Sequence, residues 1–303
     1  MEYQIKQLSY YAKSILEALT TGAVHSVYRR TINLTNGRQL LSLQTDHSPL
    51  SPISLISQLT ADEFSTLSVK TGDEVRFHKD GFIICNTAGN SCPSYSFTCR
   101  ASEYYELKLS KPLDTPSRLT LTASIQEAIL NANTGGFAPL FSANAGRQLM
   151  PDPLANWNVD ADDSLSLVLT AARRYILQCN NLILDRKYPQ AALELTRLLG
   201  LGTGLTPSGD DFLCGVLAGF LLSGSTGHPF AKHLRDMLAD KLTDTIDISA
   251  AFLSCALKNQ FSLPVNRLYE LPSPKEILTS FETVGHSSGT DTLCGILWSL
   301  VHI

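Results

Sequence analysis

The spacing of hydrophobic residues changes about a third of the way along the chain. In the first third, short runs of β-branched and aromatic residues alternate with turn residues, which is typical of strands. In the rest, apolar residues recur every three or four positions, which is typical of helices. The pattern predicts an α+β fold, with a β-rich N-terminal barrel or sandwich-like domain followed by an all-helical C-terminal domain. The change falls in residues 111–116, which hold two prolines, and we place the domains at 1–113 and 114–303.

Two hairpin signals predict strands in the first domain. Asn36-Gly37 separates a β-branched run from its return strand, and Lys79-Asp80-Gly81 separates a second pair. Short strands with regular turns are typical of a small barrel or sandwich. The predicted strands are residues 23–34, 38–44, 73–78, 82–85, 95–100 and 104–109.

Helices are expected at the N-terminus, within residues 1–20, and again near residues 60–67. In the second domain Pro189 and Gly200 mark the first turn and the end of one helix, and Ser273 to Glu276 form a capping box that opens another. Residues 133–158 are rich in Gly, Pro and Asn, and a long loop of this kind is usually functional or mobile. The predicted helices are residues 117–131, 162–178, 188–199, 208–222, 229–243, 247–258, 273–283 and 288–300.

The composition excludes several classes of protein. Charged residues make up 17% of the chain, against roughly 25% in an average globular protein, which favours a buried assembly interface. The net charge of -4 and the lack of a basic patch argue against nucleic-acid binding. No apolar run has the length of a membrane span and no secretion signal is visible, so we expect a cytoplasmic protein. Seven cysteines without a CxxC pair favour reduced thiols over disulfides or a zinc site.

The densest motif is a glycine-rich loop, residues 200–211, that leads into an apolar helical run. Such loops let backbone N–H groups converge on an anion at a helix N-terminus. A P-loop is excluded because Asp210 and Asp211 stand where Lys and Ser or Thr are needed. A dinucleotide-binding turn is excluded because Pro207 takes the place of the third glycine.

The motif recurs near the C-terminus. Residues 208–217 and 288–297 share seven of ten identities at an offset of 80 residues. Both carry S-x-x-D, which has a structural interpretation as a capping box with Ser208 or Ser288 at the N-cap. Alternatively, Thr206 is the N-cap of the first helix with Pro207 at its first position. In this second register Asp210 and Asp211 lie at the end of the first turn and face outward more freely. Asp210 is not needed for capping in either register.

Glycines inside both predicted helices point to a close contact. Gly215 and Gly295 each cost helix stability, which close backbone approach would offset. We hypothesise that the two helices cross there and bring both N-termini to one pocket, where a small dianion or an oxyanion would bind. The hydroxyl donors of this pocket are on Thr206, Ser208, Ser287 and Ser288.

Two histidines are weaker candidates. His286 precedes the second motif and is a possible proton donor or carbonyl polariser, although a structural role fits it equally well. His25 falls in a predicted strand, where a structural role is the simpler interpretation. Ser208 has no nearby histidine in the sequence, which argues against a serine nucleophile, and no GxSxG or HExxH motif is present.

At these residues the chain resembles a bacterial family that includes AllH, a subunit of the oxamate carbamoyltransferase of anaerobic allantoin breakdown. The resemblance lies in Gly200 to Gly215, in Gly285 to Leu293, and in Val24 to Tyr28. It departs from the family at Thr203, where we would expect proline more often. With the motif analysis, the resemblance assigns catalysis to Asp210, Asp211 and His286. Substrate binding is assigned to Gly202, Gly204, Thr206, Ser208, Gly209, Ser287, Ser288, Gly289, Asp291 and His25.

The resemblance implies carbamoyl transfer between oxalurate and phosphate, giving oxamate and carbamoyl phosphate. These small anions suit helix N-termini, and Asp210 and Asp211 would accept hydrogen bonds from their amide groups. The resemblance also implies partner subunits in a hetero-oligomer, with a homo-oligomer as a further option. No cofactor or metal is required, although Asp210 with Asp211 would be able to hold a metal weakly. The alternative is a non-catalytic subunit that binds small anions or serves as a scaffold.

Overall fold

The computed structural model describes residues 2–85, 94–132, 135–141 and 166–303. They form two compact units. The first comprises Met1–Lys108 with Gln260–Leu263, and the second comprises Leu109–Asn259 with Pro264–Ile303. The first unit is built on strands and the second on helices, which confirms the predicted α+β class.

The first unit is an eight-stranded barrel with a ninth strand beside it. β1 closes the barrel, because it pairs antiparallel with β5 on one edge and parallel with β8 on the other. β9 runs parallel to β1 beyond the end of β8. The strands are β1 Glu2–Ser9, β2 Thr21–Val27, β3 Thr31–Thr35, β4 Leu40–Gln44, β5 Ser54–Ser57, β6 Glu74–His78, β7 Gly81–Cys85, β8 Tyr95–Thr98 and β9 Glu103–Tyr105.

Both hairpin signals of the barrel are confirmed. β3 and β4 pair across Asn36-Gly37, and β6 and β7 pair across Lys79-Asp80. The short helix α2, Ala61–Ser65, begins at a capping box formed by Thr60 and Glu63, within the predicted residues 60–67.

Two predictions for the first unit are wrong. The N-terminus is not one helix, since β1 precedes α1, Tyr10–Ala18. Residues 23–34 hold two strands, β2 and β3, because the chain turns back at residues 28–30. The four-residue strand β5 lies outside all of the predicted strands. These strands are fixed by pairing with distant segments, which local periodicity does not report.

The described part of the second unit is helical, as predicted. Its helices are α3 Thr115–Asn131, α4 Leu167–Leu184, α5 Tyr188–Leu195, α6 Ser208–Ser223, α7 Pro229–Asp240, α8 Asp247–Leu257, α9 Leu263–Asn266, α10 Pro274–Glu282 and α11 Ser288–His302. Short 3₁₀ segments lie at Ala138–Phe141, Thr196–Leu198, Ser225–Gly227, Leu242–Asp244 and Arg267–Glu270. Within the described ranges, no helix is long and apolar enough to cross a membrane.

Helix limits follow the local signals where these exist. Pro189 lies in the first turn of α5, and the Ser273 capping box opens α10. The 3₁₀ segment after α5 ends at Leu198 with Leu199 as its C-cap, and Gly200 follows at φ +70°. α4 runs to Leu184, six residues beyond the prediction. The start predicted for it at residue 162 lies outside the described residues, as does most of the predicted loop 133–158.

The centre of the second unit is the pair α6 and α11. α6 is apolar on nearly every side, and a helix of this kind belongs in a core rather than on a surface. Phe212 of α6 and Phe230 of α7 both pack against Trp298 of α11. The Trp298 indole N–H donates to Asn180 Oδ1 at 2.9 Å, so the polar atom of this buried ring has a partner.

Candidate functional site

The two helices that carry the repeated motif cross at their glycines. A Cβ built on Gly215 would lie 2.1 Å from the carbonyl oxygen of Thr292, and one built on Gly295 would lie 2.0 Å from that of Phe212. Thr292 and Phe212 occupy equivalent positions in the repeat, so the two contacts are reciprocal. Any side chain larger than hydrogen would separate the backbones, which confirms the predicted crossing.

The crossing places the two helix N-termini side by side. Thr206 Oγ1, just before α6, lies 2.7 Å from Ser288 Oγ in the first turn of α11. Ser288 and Thr206 also hydrogen-bond the carboxylate of Asp211, and Ser208 hydrogen-bonds the carboxylate of Asp291. Each repeat therefore supplies the serine that holds the aspartate of the other repeat.

Both capping interpretations of S-x-x-D are wrong. The N-cap of α6 is Pro207 and that of α11 is Ser287, and neither makes a side-chain capping hydrogen bond. Each motif serine is therefore the first residue of its helix, and each motif aspartate is the fourth. The Ser288 hydroxyl bonds Thr206 across the crossing, and among the described residues neither N-cap side chain caps its helix.

Asp291 is a buried acid, and Asp211 is a half-buried acid whose Oδ2 atom is buried. Burial raises the pKa of Asp291 to about 6, against smaller lowering effects from the Phe137 N–H and the hydroxyls of Ser208 and Ser287. Burial also raises the pKa of Asp211 well above its ordinary value, and the charge of Asp291 raises it further. Desolvation favours the neutral form of a carboxyl group, and a second acid nearby adds to that preference.

Each acid keeps one oxygen without a partner. The Oδ2 atoms of Asp211 and Asp291 are buried and accept no hydrogen bond from the described residues. Within the same residues, no lysine or arginine contributes to the pKa of either acid. The pair thus offers two buried acceptor oxygens, and the described residues supply no countercharge to it.

Asp210 does not face outward, contrary to the alternative with Thr206 as the N-cap. Its residue exposure is 1%. Its Oδ1 accepts the backbone N–H of Gly200 at 2.8 Å, and its Oδ2 accepts the hydroxyl of Thr245. Because both oxygens are engaged, Asp210 fastens the start of the glycine-rich loop to the first turn of α6.

Two equivalent motif glycines, Gly209 and Gly289, allow close backbone approach. A Cβ on Gly209 would lie 1.9 Å from the carbonyl oxygen of Leu198, and one on the equivalent Gly289 would lie 2.0 Å from that of Phe281. Gly202 adopts φ +135° beside the backbone nitrogen of Ser208. Gly204 is exposed, with open space around its Cα.

The remaining predicted site residues divide between the two units. Ser287 lies at the crossing, where its hydroxyl bonds Asp291. His286 is exposed in the turn before α11. His25 lies on β2 of the barrel, and its ring Nδ1 is 3.0 Å from Ser26 Oγ. The crossing thus joins Thr206, Ser208, Asp211, Ser287, Ser288 and Asp291, and His25 belongs to the first unit.

Phe137, within the loop predicted at residues 133–158, contacts Asp291, and the sequence did not predict this contact. The backbone N–H of Phe137 donates to Asp291 Oδ1 at 2.6 Å. Gly136, at φ +66°, lies so close to this carboxylate that a Cβ would be 2.3 Å from the same oxygen. The Phe137 ring packs against Phe212, with centroids 5.8 Å apart. The Gly135-Gly136 pair was the only local signal for a close approach.

The thiols nearest the motif are unsuited to act as nucleophiles. Burial raises the pKa of Cys214 and of Cys294, its equivalent in the repeat, well above the ordinary value. A thiol needs its thiolate form to react. The described residues also contain no group of three or more His, Cys, Asp or Glu side chains able to hold a metal ion.

The fold and the site together define a class: an α+β protein in which a small barrel precedes a helical unit centred on an internally repeated helix pair. Comparison with family models names the family. Residues 198–300 match oxamate carbamoyltransferase subunit AllH, and residues 5–96 match the AllH family N-terminal domain. The chain belongs to the AllH family. A family described as a subunit points to a multi-subunit complex. No solved structure matches the chain.

Proposed function

We propose that this chain binds the small anionic substrates of an oxamate carbamoyltransferase and takes part in carbamoyl transfer at the α6–α11 crossing. The substrates are oxalurate, oxamate, carbamoyl phosphate and phosphate. The observation that carries the proposal is the pairing of two helix N-termini, free of side-chain caps, through Thr206 and Ser288.

The electrostatics of the crossing suit anions. Each helix N-terminus carries the equivalent of about half a positive charge, although the Gly209 N–H in the first turn of α6 already donates to the Leu201 carbonyl oxygen. Two such ends beside each other, with serine and threonine hydroxyls between them, form a compact set of donors. The same donors would stabilise the oxyanion formed during attack on the carbamoyl carbon, and one donor of this kind is typically worth about 10²–10³-fold in rate.

The reaction also requires a proton. A phosphate oxygen attacks the carbamoyl carbon of oxalurate, and the bond from that carbon to the inner nitrogen breaks. The nitrogen leaves as the amide of oxamate and must gain a proton. Asp211 is the group best suited to supply it, because burial keeps its carboxyl protonated at a pH where ordinary carboxylates are ionised. His286, exposed before α11, is the second candidate donor.

The first test is calorimetry on the purified full-length chain with oxamate, oxalurate, phosphate and carbamoyl phosphate. Ser288→Ala removes the hydroxyl shared by Thr206 and Asp211, and Ser14→Ala removes an exposed hydroxyl in the barrel unit as the control. Saturable binding that only Ser288→Ala weakens, by tenfold or more, would support the proposal. A folded chain that binds none of the four would contradict it.

A second test separates catalysis from binding. The chain is co-purified with its native partner subunits, and carbamoyl phosphate formation is measured with wild type and Asp211→Asn. A fall in turnover of 10²-fold or more with substrate affinity retained supports a catalytic role. Unchanged turnover would assign the chain to the alternative, a non-catalytic anion-binding subunit.

A further inference from the structure

We infer that the Oδ2 atoms of Asp211 and Asp291 are the acceptors for the N–H groups of a carbamoyl or primary amide substituent on the ligand. The inference rests on the proposed function and specifies it, because it assigns the amide end of the substrate to the acids and the anionic end to the helix N-termini.

The first observation is the state of these two oxygens. Both are buried and neither accepts a hydrogen bond from the described residues. Asp291 as a residue has no exposed surface. An unmade hydrogen bond at a buried acceptor is costly, so a ligand that brings an N–H group to it gains free energy.

The second observation is the bond that Asp291 already makes. Its other oxygen, Oδ1, accepts an amide N–H, the backbone group of Phe137, at 2.6 Å. The hydroxyls of Ser208 and Ser287 also interact with this carboxyl group and lower its pKa. The surroundings of Asp291 therefore already accommodate a planar amide as a hydrogen-bond donor.

The acceptor oxygens of the two acids also complement the hydrogen-bond donors of a primary amide. A primary amide carries two N–H donors, one for each Oδ2 atom, whereas a methyl ketone of the same shape has none and leaves both acceptors empty.

Oxamate and pyruvate provide the matched probes, because they differ only in the amide NH₂ that replaces a methyl group. The full-length chain is titrated with each ligand at one pH, as wild type, Asp291→Asn and Asp211→Asn. Asp73→Asn is the control, since Asp73 is a buried acid in the barrel unit that accepts the Lys70 N–H. Circular dichroism checks that every variant is folded.

We expect the wild type and Asp73→Asn to bind oxamate about 10- to 100-fold more tightly than pyruvate. Each site variant should bring that ratio to within about threefold while pyruvate affinity stays the same. Either variant suffices, so the test stands if one of them does not fold.

The outcomes separate this inference from the proposed function. Equal wild-type affinity for oxamate and pyruvate overturns the inference and leaves anion binding intact. A preference for oxamate over pyruvate that persists in both Asp211→Asn and Asp291→Asn also overturns it. A preference for oxamate over pyruvate that requires Mg²⁺ and disappears with EDTA overturns the inference in favour of a cation held by the acids. If the folded chain binds none of oxamate, oxalurate, phosphate and carbamoyl phosphate, the proposed function is overturned, and this inference with it.

Discussion

Gly215 lies against the carbonyl oxygen of Thr292, and a Cβ at Gly215 would be 2.1 Å from that oxygen. Eighty residues later in the chain, Gly295 makes the equivalent contact with Phe212. This reciprocal contact brings the two helix N-termini together, and the serine and aspartate contacts of the site depend on it.

Gly215→Ala should destabilise the protein although alanine favours helices. The gain in helix propensity is up to about 1 kcal/mol. Separating two backbones in a packed core costs typically about 1–3 kcal/mol or more, and the neighbour here is a carbonyl group that no rotamer change can move. We expect a net loss of about 1–2 kcal/mol in the free energy of unfolding, measured by denaturant titration. Gly227→Ala is the control, because its Cβ would meet open space. Equal stability of the two variants would contradict the close crossing.

The interaction of each motif serine with the aspartate of the other repeat predicts a specific pattern of coupling energies. Ser208→Ala and Asp291→Asn remove the two partners of one bond across the crossing, so a double-mutant cycle should give a coupling of about 0.5–2 kcal/mol. Ser208→Ala combined with Asp211→Asn should be close to additive, since Asp211 bonds Ser288 and Thr206 instead. Coupling of Ser208 to Asp211 and not to Asp291 would restore the capping-box interpretation.

The raised pKa of Asp291 predicts a characteristic pH dependence. Folding shifts this pKa from 3.8 to about 6, so between these values the folded state binds more protons than the unfolded state. The contribution of Asp291 to the free energy of unfolding therefore falls as pH rises from about 4 to about 6, by up to about 3 kcal/mol.

Comparison with Asp291→Asn isolates this effect from other titrations. Asp211 is the acid that faces Asp291 and has its pKa raised in the same direction. Urea titrations at half-unit pH steps should show the wild type losing stability relative to Asp291→Asn across this window. Parallel profiles of the two proteins would show that Asp291 titrates normally.

Asp210→Asn should loosen the glycine-rich loop and lower stability. The substitution weakens the bonds to the Gly200 N–H and the Thr245 hydroxyl, with an expected loss of about 1–3 kcal/mol. Thr245→Val removes one of the bonds without changing charge and should show part of the loss. Hydrogen exchange of peptides covering residues 200–206 should accelerate in both variants. A variant that loses ligand binding with unchanged exchange would place Asp210 in the site itself.

Gly136→Ala should displace the segment that contacts Asp291. Alanine disfavours φ +66°, and its Cβ would lie 2.3 Å from Asp291 Oδ1. We expect faster hydrogen exchange in residues 135–141 and weaker protection of the Phe137 amide. The adjacent Gly135→Ala is the control, since its Cβ would meet open space. Equal exchange in the two variants would contradict the contact between Gly136 and Asp291.

The sequence by itself determined the features that depend on neighbours along the chain. The change from strand to helix periodicity predicted the two parts of the fold, and Asn36-Gly37 and the Ser273 capping box predicted a hairpin and a helix start. The repeat also predicted the helix crossing, because Gly215 and Gly295 inside apolar helices had a cost that only close packing offsets.

Tertiary structure alone decided the partners of the polar groups. Asp210 and Asp211 are adjacent in the sequence, yet one holds a loop and the other faces the second helix, because successive residues of a helix point about 100° apart. Phe137 and Asp291 are separated by 154 residues. β1 became a strand because β5 and β8 supply its hydrogen bonds. Such contacts depend on distances in space, and the local sequence carries no record of them.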